Sequence, residues 1–236
     1  MNLQEYFKKL NINSVSRYFI TRRLIFLDKY LKNKKGSSLD IGCAFGIFTE
    51  FMKKKGFDSY GIDMDKNLIG FAKEHGTAKY KYHAAENLPF KDNKFDVVLL
   101  FAVLEHVVDR GNALREINRV LKKDGIAIII VPNTWSYFYF RSLVTFALRG
   151  KKAWKNVHYQ QNYFYWEHLL NNYLRIKDVR PVLSIPFFEP KLIKNSRLAK
   201  FEYDKRNLAW LSAEPIFICT KRKNPPKGDP DVTNLS

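Results

Sequence analysis

Long apolar runs are missing from this 236-residue sequence. No stretch approaches the roughly 20 residues needed to cross a bilayer. The opening residues, MNLQEYFKKLNINS, lack the apolar segment of a signal peptide, so the expected location is cytoplasmic. Cysteine is almost absent as well: Cys43 and Cys219 stand far apart with no C-x-x-C spacing, which argues against a disulfide framework or a zinc site and predicts two buried thiols. Acidic residues are scarce beside basic ones, 23 against 41, for a formal charge of +18. That excess favours anionic partners such as phosphates, nucleic acid or acidic headgroups, although a solvated lysine-rich surface produces the same count. There is no internal repeat. The 46% hydrophobic content is enough for a sizeable core, which excludes global disorder.

The apolar residues that are present fall into a recognisable order. Phe19, Ile20, Leu24, Leu27 and Leu31 recur at helical spacing across Ser16–Lys32, with Arg17, Arg22 and Arg23 between them. After the polar turn at Lys34–Ser38 the pattern becomes short apolar runs alternating with helical segments, the signature of βαβ units and a parallel sheet. Strands are predicted at Ser38–Ile41, Ser59–Ile62, Tyr80–His83, Phe95–Leu100, Ile126–Val131, Ile176–Leu183 and Ile216–Thr220. Helices are predicted near Phe48–Lys55, Lys66–Glu74, Asn112–Leu121 and Trp166–Leu174, with stops at Gly56, Gly76 and Lys122–Gly125. The fold class is therefore α/β, a doubly wound, mostly parallel sheet of about seven strands.

One domain is expected over residues 1–223, followed by a disordered tail at 224–236. Residues 132–165 break the alternation. Trp135–Trp166 holds 12 aromatics and five basic side chains in 32 residues, with no acid, and reads as a substrate cover inserted after the fifth strand. Its run Ser136–Leu148 is a candidate for resting on a membrane surface or clasping a lipid-like substrate, with an ordinary packed helix as the alternative.

The most informative stretch is SLDIGCAFGIFTEF. A strand ends at Asp40, turns through Gly42 and Gly46 and enters a helix. Glycine at such a turn removes the Cβ that would block a ligand from the backbone, and the helix start offers unpaired N–H groups to an anionic group. The spacing Gly42-x-x-x-Gly46 departs from the G-x-G-x-x-G of dinucleotide folds. Twenty-three residues after Asp40, the second strand ends in Asp63, placed to accept hydrogen bonds from both hydroxyls of a ribose.

In order along the chain stand LDIGCAFG, YGIDMD, AAENLPF, FDVVLLFAVLEHV and LREINRVLKKDGIAIIIVPN. Together they make Leu39–Asn133 resemble the class I S-adenosylmethionine-dependent methyltransferase domain, especially the group containing ubiquinone and menaquinone biosynthesis enzymes. The resemblance implies a Rossmann-like sheet, mostly parallel with an antiparallel strand near the C-terminus, and S-adenosylmethionine as cofactor. It implies that Asp40, Gly42, Cys43 and Gly46 surround the methionine part, that Asp63 holds the ribose and Met64 packs on the adenine. Ala85 and Glu86 would lie at the adenine edge, and Phe101 would border the cofactor at the end of the fourth strand. Two positions depart from the pattern: Ala44 replaces a middle glycine, and Ala84 stands where an acid is common. Some quinone-type relatives hold a metal using an acid at the place of Ala102 together with the equivalents of Glu105 and His106; alanine cannot ligate, so no metal is expected here.

A sulfonium methyl is already electrophilic, so the protein mainly has to align a nucleophile, exclude water and, where needed, take a proton. His106, just past the fourth strand, is the candidate base, with a structural role in capping the next helix as its alternative. His158, in the aromatic and basic segment, is a candidate substrate contact. The tail sequence Asn224-Pro225-Pro226-Lys227 imitates a nucleic-acid amine methyltransferase signature, but it sits far from the fourth strand and ends in lysine. The expected activity is methylation, at oxygen, of a small or lipid-linked metabolite, with peripheral membrane contact as an accompanying expectation. An RNA methyltransferase is the weaker alternative, since no RNA-binding module is recognisable; a non-catalytic cofactor-binding protein is the third reading.

Overall fold

The computed structural model describes residues 7–134, 161–182, 209, 212 and 214–226. In chain order these form α1 (Ser14–Tyr30), β1 (Gly36–Ile41), α2 (Ile47–Lys54), β2 (Phe57–Asp63), α3 (Lys66–His75), β3 (Lys79–Tyr82), β4 (Phe95–Phe101), a one-turn 3-10 helix (Leu104–His106), α4 (Arg110–Val120), β5 (Leu121–Ile130), α5 (Tyr163–Tyr173), β6 (Leu174–Val182) and β7 (Glu214–Lys221). The aromatic and basic cover from 135 to 160, with His158, and the tail beyond Pro226 lie outside the described residues.

The seven strands form one sheet in the order β3-β2-β1-β4-β5-β7-β6. β1 pairs in parallel with β2 on one side and β4 on the other, and β7 runs antiparallel to both β5 and β6. The fold class is as the sequence predicts.

Alternation along the strands divides the core between two faces. Val97, Leu99 and Phe101 of β4 join Ile126, Ile128 and Ile130 of β5 in a cluster with Leu27 of α1, Leu31 just past its end and Met52 of α2. Val98 and Leu100, with Ala127 and Ile129, face the other way onto Leu114 and Ile117 of α4 and Trp166 and Leu170 of α5. Burial on both sides explains why these strands read as unbroken apolar runs. Trp166, fully buried, spends its indole N–H on the Pro132 carbonyl at 2.9 Å, so its burial leaves no donor unmet.

Local chemistry accounts for the boundaries. Asp65 and Asp109 cap α3 and α4 through backbone N–H groups at 2.8 Å and 2.7 Å, which starts α4 two residues before the predicted Asn112. Gly56, at φ +92°, follows the last turn of α2 in the left-handed conformation that glycine tolerates best. The predicted stop at Lys122–Gly125 is corrected: α4 ends at Val120 and the chain enters β5 at Leu121. The predicted N-terminal helix starts two residues earlier, where the Asn13 side chain accepts the Ser16 N–H at 2.9 Å. Its faces differ from simple amphipathicity, because Arg22 is buried and Ile25 is exposed.

Candidate functional site

β1 is where the connections diverge to opposite sides of the sheet, and the carboxyl ends of β1 and β4 flank a natural crevice. The loop leaving β1 is tightly wound. Gly42, Ala44 and Gly46 have φ of +68°, +46° and +81°; the Cys43 N–H bonds the Ile62 carbonyl at 2.9 Å and the Gly46 N–H bonds the Cys43 carbonyl at 2.8 Å. A Cβ at Gly42 would come within 2.2 Å of Val103 Cγ2, and one at Gly46 within 2.4 Å of the Tyr80 hydroxyl. These two glycines are required by both φ and space.

The loop borders a cavity of about 350 Å³ lined by Asp40, Gly42, Cys43, Ala44, Phe45, Ile47, Phe48 and Phe101, and on its other side by Asn11, Ile12, Asn13, Ser16, Ile20 and Arg23. This size suits a small ligand or cofactor. Phe48 and Phe101 meet edge to face, with ring centroids 4.9 Å apart, so the cavity has an aromatic wall beside the glycine loop. A larger cleft of about 490 Å³ lies between α1 and α2, against Leu24, Ile25, Phe51 and His75. It includes none of Asp40, Gly42, Cys43 or Phe101.

Asp40 is buried and accepts the Thr49 hydroxyl at 2.6 Å. Burial pushes its carboxyl up to about 7, against the opposing hydrogen bonds from Thr49, with the neighbouring Asp63 charge adding to the rise. The buried Cys43 thiol is likewise held protonated, chiefly by burial, so it packs rather than reacts. Asp63 ties the loop to β2: Oδ2 accepts the Ala44 N–H and Oδ1 the Asp65 N–H, both at 2.9 Å.

The remaining sequence-predicted residues are placed as follows. Met64 is 63% exposed and available to a flat ligand. Ala85 is buried in the core, and the Glu86 carbonyl accepts the Asn112 side-chain amide at 2.6 Å, fixing the loop after β3 to α4. His106 ends the 3-10 turn with its side chain 72% exposed and is not among the residues lining the cavity. The structure thus gathers Asp40, Gly42, Cys43 and Phe101 around one cavity, with Gly46 and Asp63 supporting its loop.

Sequence reasoning missed the wall formed by Asn11, Asn13, Ser16, Ile20 and Arg23. Arg23 is fixed there by a two-pronged ion pair with Glu214, 2.7 Å and 3.1 Å, joining α1 to β7. Three arginines in one helix were visible; which one turned inward depended on a partner 191 residues away. Among the described residues there is no cluster of three or more metal-ligating His, Cys, Asp or Glu side chains, and no helix long and apolar enough to cross a membrane.

Residues 39–129 match the family described as "Methyltransferase domain". The chain carries a class I S-adenosylmethionine-dependent methyltransferase domain. It is 31% identical over 128 residues to the ubiquinone biosynthesis O-methyltransferase of Methylococcus capsulatus, covering 52% of this chain and 54% of that protein. It is 39% identical over 121 residues to the protein of the same description from Pelagibacter ubique, covering 50% of each. The chain spans about half the length of these curated relatives. Its fold is similar to that of a TehB-like SAM-dependent methyltransferase from Corynebacterium glutamicum, with a TM-score of 0.57, 18% identity, and 86% of this chain and 88% of that one covered.

The methyltransferase domain accounts for the cavity's position at the β1 and β4 ends. Its residues also suit S-adenosylmethionine chemically: glycine-exposed backbone, an aromatic wall, the buried Asp40 and the cationic Arg23 border one space.

Proposed function

We propose that this chain transfers the methyl group of S-adenosylmethionine to an oxygen of a small or lipid-linked metabolite. The observation that carries the reading is the cavity at the carboxyl edge of β1 and β4, bounded by the Gly42–Gly46 loop on one side and α1 on the other. Similarity over half their length to two ubiquinone biosynthesis O-methyltransferases supports oxygen as the acceptor atom.

The bound cofactor supplies an electrophilic methyl group. The chain's own task is then to bind, orient and exclude water. Asp63 holds the Ala44 backbone in place and keeps lone pairs for ribose hydroxyls. Phe48 and Phe101 keep the cavity wall dry. Met64 would cover the adenine of the bound cofactor, and Ala85 and Glu86 would border its edge. His106, exposed at the rim of the sheet edge, takes the acceptor's proton, and His158 contacts the acceptor. The basic excess of the chain favours an anionic acceptor.

The test is methyl transfer from isotopically labelled S-adenosylmethionine to a panel of hydroxylated aromatic, anionic and lipid-linked acceptors, using the wild type and His106→Ala. Labelled methyl ethers, with turnover reduced roughly 10²-fold or more in the variant, are expected. Labelled products confined to nitrogen or to RNA would overturn the assignment of the acceptor.

A further inference from the structure

Glu105 has no part in the site as described so far. It lies on the single turn after β4, is buried, and its Oε2 has no hydrogen-bond partner among the described residues. Among the described residues the charged groups that act on it are Arg23 of α1, Glu214 of β7 and Arg110 of α4, with His106 of its own turn at 4.0 Å. Both guanidinium groups are engaged elsewhere. Arg23 is committed to Glu214, while Arg110 donates to the Leu104 carbonyl, the Tyr165 hydroxyl and the backbone carbonyl of Glu105. Burial, reinforced by Glu214 and opposed by Arg23 and Arg110, pushes the Glu105 carboxyl up to about 7. The cluster adjoins the cavity, because Arg23 lines it and lies 5.9 Å over the ring of Phe101, which also lines it.

We propose that the Glu105 carboxylate makes the site discriminate the positively charged sulfur of S-adenosylmethionine from the neutral sulfur of S-adenosylhomocysteine, favouring the reactive cofactor and release of the spent one. The inference rests on the methyl-transfer reading and extends it to cofactor exchange. With Glu105 ionised, its charge and that of Glu214 balance Arg23 and Arg110; with Glu105 neutral, one positive charge is left over beside the cavity. That surplus disfavours a cationic ligand and leaves an uncharged sulfur nearly unaffected. Solvent screening through the adjoining cavity makes the expected discrimination roughly three- to tenfold. Asp40, in the cavity wall, ionises in the same range and acts in the same direction, so substitution is needed to isolate Glu105.

The experiment is calorimetric titration of the full chain and of Glu105→Gln with each of the two ligands, on both sides of neutral pH. The ratio of the two affinities should coincide for the proteins on the acid side of about 7. On the alkaline side it should separate, the wild type preferring S-adenosylmethionine by a further three- to tenfold or so. A second measurement compares the same two proteins: near neutral pH, in buffers of different ionisation enthalpy, the excess of protons released on binding S-adenosylmethionine over S-adenosylhomocysteine should be larger in the wild type than in Glu105→Gln. An equal excess in the two proteins, with ratio curves that coincide at every pH, overturns the proposal and leaves the cofactor site standing. Failure of both ligands to bind overturns the cofactor reading itself, and this inference with it.

Discussion

The carboxylate of Asp63, at the end of β2, accepts the backbone N–H of Ala44 at 2.9 Å. The loop after β1 is thus held by a charge from the neighbouring strand. In Asp63→Ala the loop loses this anchor, and a ribose loses its acceptor. A charge-assisted hydrogen bond contributes about 1.5–3 kcal/mol, so affinity for S-adenosylhomocysteine should fall roughly 10- to 100-fold by calorimetry. Unchanged affinity would remove Asp63 from the site.

Ala44 itself carries strain, because its φ of +46° is a conformation that glycine adopts more readily. Ala44→Gly should relieve it, at some cost from a more flexible unfolded chain. A net gain of about 0.5 kcal/mol is expected in urea unfolding, with the Asp63 bond intact. A loss of stability would show that the methyl group has a packing role outweighing the strain.

Asp40 makes stability depend on pH with a definite sign. Its carboxyl is raised from 3.8 to about 7 in the folded state, so between those values the native state holds a proton that the unfolded chain has lost. Its contribution is therefore full below about 4 and is lost as pH rises through about 7. Asp40→Asn keeps an acceptor for Thr49 without the charge. Relative to wild type, the variant should gain stability as pH rises from about 4 to about 7, by about 1.4 kcal/mol per pH unit at most, and the difference should level off above that. A flat difference between the two unfolding curves would show that Asp40 is not held protonated.

The pair between Arg23 and Glu214, with side chains only 11% and 16% exposed, ties α1 to the edge of the sheet. Removing one partner leaves the other charge partly buried, so Glu214→Ala should cost about 1–3 kcal/mol. Because Arg23 lines the cavity, the same variant should also weaken S-adenosylhomocysteine. Thermal melting read beside calorimetry checks both. A lower melting temperature with unchanged affinity would confine the pair to holding the helix.

Much of this was legible before any coordinates, for reasons that are local. The strands that build the floor of the site are runs such as Val97–Phe101 and Ile126–Val131, whose apolar residues on both faces can only be satisfied by helices above and below. Gly42 and Gly46 marked a turn where a side chain would not fit, and the contacts with Val103 and Tyr80 are the physical form of that requirement. Asp63, at a fixed distance beyond Asp40, was visible for the same reason: strand length and helix length set it at the same sheet edge.

What the sequence determined by itself, then, was the alternation of elements, the glycine loop and the acid that follows it, because each rests on backbone geometry and periodicity within a few residues. The tertiary structure alone decided which of Arg17, Arg22 and Arg23 turns toward the cavity, that Asn11 to Arg23 closes the cavity's second side, and that Glu105, not its exposed neighbour His106, is the buried charge beside it. Those outcomes depend on contacts between distant segments, Arg23 with Glu214 above all. Periodicity shows which residues share a face; the position of an oppositely charged partner, and the water excluded around it, determine what that face does.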